Sequence, residues 1–159
     1  MKPNEKKVGI NSRFCVENTS PLLGSSAQFF TLRLFPGQEL LTEIRSFVAQ
    51  TGLKAGFIAA VVGSLSHVSL RYAGRSESFL TEGCFEVISL SGTLDAQGEH
   101  LHLSISNPQG QLLGGHVMAG CIVRTTLELV IGVLPEVFFS REQCAISGYP
   151  ELKITQRSE

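Results

Sequence analysis

The chain has 159 residues and a mass of 17.2 kDa, with 43% hydrophobic and 17% charged residues. A chain of that length is one ordinary domain, able to bury about 70% of its unfolded surface without disulfide or metal staples. Thirteen Lys and Arg face fourteen Asp and Glu, a net charge of −1. That argues against a protein built to neutralise duplex phosphates along its whole surface, and leaves room for a local basic patch.

The cysteines, Cys15, Cys84, Cys121 and Cys144, include no CxxC pair. A four-thiolate zinc site is therefore not indicated, and the thiols are expected to be reduced and mostly buried. Met1 to Lys7 is polar and lacks the apolar run of a signal peptide. The apolar runs 57–62 and 129–134 are far short of the ~20 residues that span a bilayer. A cytoplasmic protein, without membrane contact, is expected.

Residues 1–27, rich in Gly, Asn, Ser and Pro, read as an N-terminal arm. Phe29 to Phe35 reads as a first strand, interrupted by Pro36-Gly37. From Gln38 the apolar residues Leu40, Leu41, Ile44, Phe47 and Val48 form the stripe of an amphipathic helix, with Gly52 as its stop. Gly56 to Val62 is apolar on both sides, like a buried strand, and Val68 to Tyr72 is a second extended piece. Residues 74–82 read as a polar loop. Phe85 to Leu94 and His100 to Ser106 are strand-like, with Asp95-Ala96-Gln97-Gly98 between them. Asn107-Pro108-Gln109-Gly110 is a turn signal before Leu112 to Val117. Cys121 to Leu134 is a long β-branched run, and the last 20 or so residues are expected to trail over the surface.

Short turns between strands imply antiparallel pairing. The fold expected is α+β: a mostly antiparallel sheet, one main amphipathic helix and short extra helices. The domain proper spans 28–140, and 141–159 is a C-terminal tail.

One pattern could carry chemistry. In His100-Leu101-His102-Leu103-Ser104-Ile105-Ser106 strand alternation puts the leucines and Ile105 on the core face. His100 and His102 share the other face, about 6.6 Å apart along the strand. Hairpin register decides whether His116 joins them. A four-residue loop, 107–110, would pair Leu101 with His116 and turn that ring to the core. An odd loop, or a bulge at Gly114-Gly115, would set His102 opposite His116. Three histidines with an open fourth position suit a catalytic or ligand-binding zinc ion, or another divalent transition metal. The competing reading is a set of solvated surface histidines. Glu86 or Glu128 could serve as a base, with Glu86 the first candidate; Arg33 and Arg71 could bind an anion. His67 reads as a turn or surface residue, and Phe138-Phe139 as half core, half edge. No GxSxG, HExxH, P-loop or dinucleotide glycine pattern is present.

Several pieces, in order, resemble the PPC domain, the domain of unknown function 296 of bacteria, archaea and plant AT-hook nuclear proteins. They are Arg33-Leu34-Phe35-Pro36-Gly37-Gln38-Glu39-Leu40, Gly63-Ser64-Leu65 with Leu70-Arg71-Tyr72, and the segment from Gly83 to Gly92. His100 to Ser104, Gly114-Gly115-His116 and Glu128 complete the set, which covers about residues 28–135. The resemblance implies a compact α+β domain, a homotrimer, and a DNA-binding or regulatory role; His100, His102 and His116 resemble the metal-holding histidines of some microbial members. It also implies a protein-contact segment at Gly83, Phe85, Glu86 and Ile88, although Cys84 stands where the plant motif has Arg. The plant proteins reach the minor groove through a separate Arg-Gly-Arg-Pro hook, which this chain lacks. The alternatives are a metal-dependent enzyme acting on a small molecule through an activated water, and a trimeric protein-interaction module. The compartment would be the cytoplasm, or the nucleus in a eukaryote.

Overall fold

A computed structural model describes residues 22–157. Residues 1–21, most of the expected N-terminal arm and Cys15 among them, lie outside the described part. Strand β1 (Gln28–Leu34) leads into helix α1 (Leu40–Thr51). Then follow β2 (Gly56–Arg71), β3 (Ser78–Asp95), β4 (Gly98–Ser106), β5 (Leu112–Val117) and β6 (Ile122–Val133). The chain closes with β7 (Val137–Gln143) and β8 (Pro150–Gln156).

The helix forms where its apolar stripe places it. Leu40, Leu41, Ile44 and Phe47 are buried against the sheet. At its start the Glu39 carboxylate accepts the Thr42 N–H at 2.7 Å, satisfying one of the free amides of the first turn. At its end Gly52 adopts the left-handed conformation, φ 63°, that stops helices with little strain. It is the one helix among the described residues; the expected short extra helices are not among them.

The main sheet has the order β1-β6-β2-β3-β4-β5, and every pairing is antiparallel. The α+β class with one helix and a mostly antiparallel sheet is therefore what the molecule has. The two extended pieces expected at 56–62 and 68–72 are one 16-residue strand. Gly63-Ser64, read as a break, instead sits at a register shift in the pairing with β6. A bulge bends a strand without ending it, which is why a break signal misleads there. Bending lets the far end of β2 meet β5, with Leu70 opposite Val117 and Arg71 opposite His116. Strands β2 to β5 thus close on themselves. Closure needs a close approach: a Cβ on Gly115 would lie 2.9 Å from the Arg71 carbonyl oxygen.

The core is one cluster in which Leu101, Leu103 and Ile105 of β4 meet Ile44 of α1, Leu65 of β2 and Leu129 of β6. The segment 74–82, read as a polar loop, is shorter in fact, because β3 begins at Ser78. The final residues do not trail. β7 and β8 pair along their full length as a ribbon. Val137 and Phe139 pack with Ala55 in a second, small core, while Phe138 is 37% exposed. The ribbon is tied to the main sheet by Arg141, which donates to Asp95 Oδ2 at 3.2 Å and to Thr93 Oγ1 at 2.8 Å. Asp95 is fully buried, and its other carboxylate oxygen accepts the Gln97 and Gly98 N–H groups of the β3–β4 turn.

Candidate metal centre

The β4–β5 hairpin decides the site. Ser106 pairs with Leu112, so the loop is Asn107 to Gln111, five residues. The Asn107 carboxamide oxygen accepts the Gln109 and Gln111 N–H groups at 3.0 and 2.9 Å, which fixes that length. With an odd loop His102 faces His116 directly. The four-residue alternative does not occur, and the pairing runs without a bulge at Gly114-Gly115. Partners in an antiparallel pair point to one face, so His100, His102 and His116 all stand on the side opposite Leu101 and Leu103.

The ring centroids of the three histidines are 5.2, 5.1 and 5.6 Å apart. One nitrogen from each ring lies within 4.8 Å of the other two. On a tetrahedral zinc ion with bonds of ~2.0–2.1 Å such nitrogens stand about 3.3 Å apart. Small side-chain rotations close that difference. Partial burial, aided by the neighbouring His102 and Arg141, holds the His100 pKa below 6.5. Burial and then Arg71 do the same for His116. Both shifts favour neutral imidazole, the form that donates a lone pair to a metal.

The rings lie in the wall of a cleft of about 1110 Å³. Arg71, Tyr72 and Arg75 from the end of β2 and the following turn form one side. Arg141, Tyr149 and Glu151 of the C-terminal ribbon form another. Glu99 also lines it, and Arg45 of the helix holds that carboxylate at 2.5 Å.

The other sequence candidates lie elsewhere. Glu86 pairs with Ser106, whereas His102 pairs with Ser91, five residues further along β3. Five residues of strand are about 16 Å, and Glu86 is not a cleft residue. Glu128 lies opposite Arg33 on β6, also away from the cleft. Arg33 stands 5.1 Å from the Phe35 ring centroid and donates to Thr126. His67 belongs to neither a turn nor the cluster. It lies within β2 and pairs with Glu82 at 3.3 Å. In the segment Gly83–Ile88, Glu86 and Ile88 are exposed but Phe85 is 5% exposed and belongs to the core. Gly83 leaves room for that ring, since a Cβ there would lie 2.9 Å from it. Of the described cysteines Cys121 is buried, with its thiol pushed up to about 11 by burial; Cys144 is half-buried and Cys84 is exposed, against expectation. What sequence reasoning missed is the ribbon's contribution. The one signal is a brief alternation, Val137 with Phe139 and Leu152 with Ile154, and Arg141 gains meaning only beside Asp95.

The profile of the Plants and Prokaryotes Conserved (PCC) domain matches residues 23–135. The chain belongs to this family. A hypothetical protein from Salmonella enterica has the same fold, with TM-score 0.85 and 57% identity, over 86% of this chain and 99% of that one. A metal-containing protein from Archaeoglobus fulgidus superposes with TM-score 0.70 at 22% identity, over 82% of this chain and 97% of that one, a likeness of fold alone. Among curated relatives, the Bifunctional protein GlmU of Synechococcus sp. (strain JA-3-3Ab) is 42% identical over 139 residues, and AT-hook motif nuclear-localized protein 10 of Arabidopsis thaliana is 32% identical over 122. The match covers 87% of this chain but 22% of the first, and 69% of this chain but 34% of the second. The chain thus spans only a minor part of either relative. The PCC match ends at residue 135, so the ribbon that walls the cleft lies beyond it.

Proposed function

We propose that this PCC-domain chain is a metal-dependent protein acting on a small molecule, with His100, His102 and His116 holding one divalent transition ion, zinc by the nature of the donors. The observation that carries this reading is the convergence of three imidazoles on one side of a hairpin, at the wall of a concave cleft. Three nitrogen donors and no thiolate match catalytic zinc rather than closed structural sites. Such an ion supplies a Lewis acid and an acidified water. The chain's own residues do the rest. The five-residue loop fixes the parity of His116, the depressed pKa values keep His100 and His116 unprotonated at neutral pH, and Arg45 fixes Glu99 at the rim.

The test is metal content. Protein purified without chelator, or incubated with stoichiometric zinc and desalted, should carry one ion per chain by plasma mass spectrometry. His102→Gln and His116→Gln should each lose it while keeping the circular dichroism of the parent. A parent that retains no ion under either condition refutes the reading.

A DNA-binding, regulatory role is the second reading. Kinship with AT-hook nuclear-localized proteins favours it; the net charge of −1 and the missing Arg-Gly-Arg-Pro hook oppose it. We further propose a cytoplasmic homotrimer. Exposed Val62, Leu80 and Ile88 supply apolar surface for burial between copies, and Glu86 and Ile88 are the exposed members of the segment offered to a protein partner.

A further inference from the structure

Arg71 has a place but, among the described residues, no ion-pair partner. It pairs with His116 across the β2–β5 closure, so both side chains rise from one face into the cleft. None of the ion pairs among the described residues involves it; these join Arg45 to Glu99, Arg141 to Asp95 and Lys153 to Glu142, and His67 stands by Glu82. Its neighbour Arg75 lines the same cleft and is likewise outside those pairs. The chain around them is well fixed. Tyr72 stacks on Phe79 with centroids 5.1 Å apart, and the Arg75 N–H donates to the Tyr72 carbonyl at 3.1 Å.

The charges in the cleft can then be counted by what neutralises them. Glu99 is held by Arg45, and Arg141 by buried Asp95. That leaves Arg71 and Arg75 against Glu151, an excess of positive charge beside the three histidines. An unpaired guanidinium in a concave wall is a fork for an oxyanion, because its N–H groups match carboxylate or phosphate oxygens two at a time.

We propose that the cleft takes a small molecule bearing a carboxylate or phosphate, with Arg71 as the residue that binds the oxyanion beside the histidine cluster. This rests on the proposed function for the molecule's second anchor, but the Arg71 contact does not require a metal. Arg71 is a binding residue and supplies no metal ligand.

Calorimetric titration tests it, with benzoate and inorganic phosphate as probes, benzamide as the neutral control, and zinc-loaded and metal-free protein run in parallel. At least one oxyanion should bind the parent, benzamide should not, and Arg71→Gln should weaken the oxyanion about tenfold or more, the scale of a lost charge-assisted bond. Its zinc content should stay that of the parent. Glu151→Gln, at an exposed position, should strengthen oxyanion binding, and it keeps the test decisive if Arg71→Gln does not fold. Equal affinity in parent and Arg71→Gln, equal binding of benzamide, or no gain in Glu151→Gln would overturn the proposal. So would Arg71-dependent binding of a 20-base-pair duplex in preference to both small anions. If no zinc binds but the metal-free protein shows the Arg71 and Glu151 effects, the metal reading fails and the oxyanion cleft stands.

Discussion

For each single residue of the cluster, metal binding depends on which way the imidazole points and whether it carries a proton. The His100 and His116 pKa values are depressed in the folded chain below 6.5, their ordinary value. The unfolded chain therefore binds more protons than the folded one as pH drops below about 6.5, and stability rises with pH across that window. The metal-free protein should lose thermal stability between pH 7.5 and pH 5.5, and the loss should shrink when His100 and His116 are both replaced by Gln. A melting temperature flat over that range would contradict the assigned shifts. Metal affinity should fall over the same interval, since protons compete for the same nitrogens. Gly115 gives a second prediction at this scale. Its missing Cβ lets β5 lie against the Arg71 carbonyl. Gly115→Ala should push the strands apart and cost about 1–3 kcal/mol by urea denaturation, the range for overpacking. It should weaken metal binding as well, because His116 follows directly.

At the scale of elements, hairpin parity is the strongest handle. Removing Leu113 from β5 would leave the 107–111 loop unchanged and set Leu103, not His102, opposite His116. Metal binding should vanish in that variant and persist in Leu113→Ala, which keeps the length. The ribbon offers another case. Asp95 is buried with Arg141 as its cation and two turn amides as donors. Asp95→Ala strands the guanidinium and frees both amides, and should cost about 3–5 kcal/mol of unfolding free energy in urea denaturation. Limited proteolysis should then cut within 137–156 first. Much at this scale was legible in the sequence. The stripe from Leu40 to Val48 and the stop at Gly52 specified the helix, and the alternation from His100 to Ser106 specified which side chains face out. Loop length was not legible, because Asn107-Pro108-Gln109-Gly110 signals a turn without saying whether Gln111 joins it. Nor was the ribbon, where the alternation of Val137 with Phe139 and of Leu152 with Ile154 is too brief to mark two strands among polar neighbours. Nor does sequence give the distance of Glu86 from the histidines, which the β3–β4 register sets.

At the scale of the whole molecule, a closed turn of strands carries the histidine cluster on its outer face, while the core and helix hold it from beneath. Ile44 and Leu103 are 1% and 2% exposed, so truncating either to Ala should cost about 2–5 kcal/mol without touching a ligand. The proposed trimer should appear in light scattering at about three times 17.2 kDa, and Ile88→Lys should shift it toward monomer. The same site would then exist three times in one particle, and duplex affinity should stay at the level of an unrelated acidic protein. X-ray absorption at the zinc edge on the loaded protein reads the donor set itself. Three imidazole nitrogens and one light oxygen-type donor at ~2.0–2.1 Å are expected. A first shell containing sulfur, or fewer than three imidazoles, would contradict a three-histidine metal site.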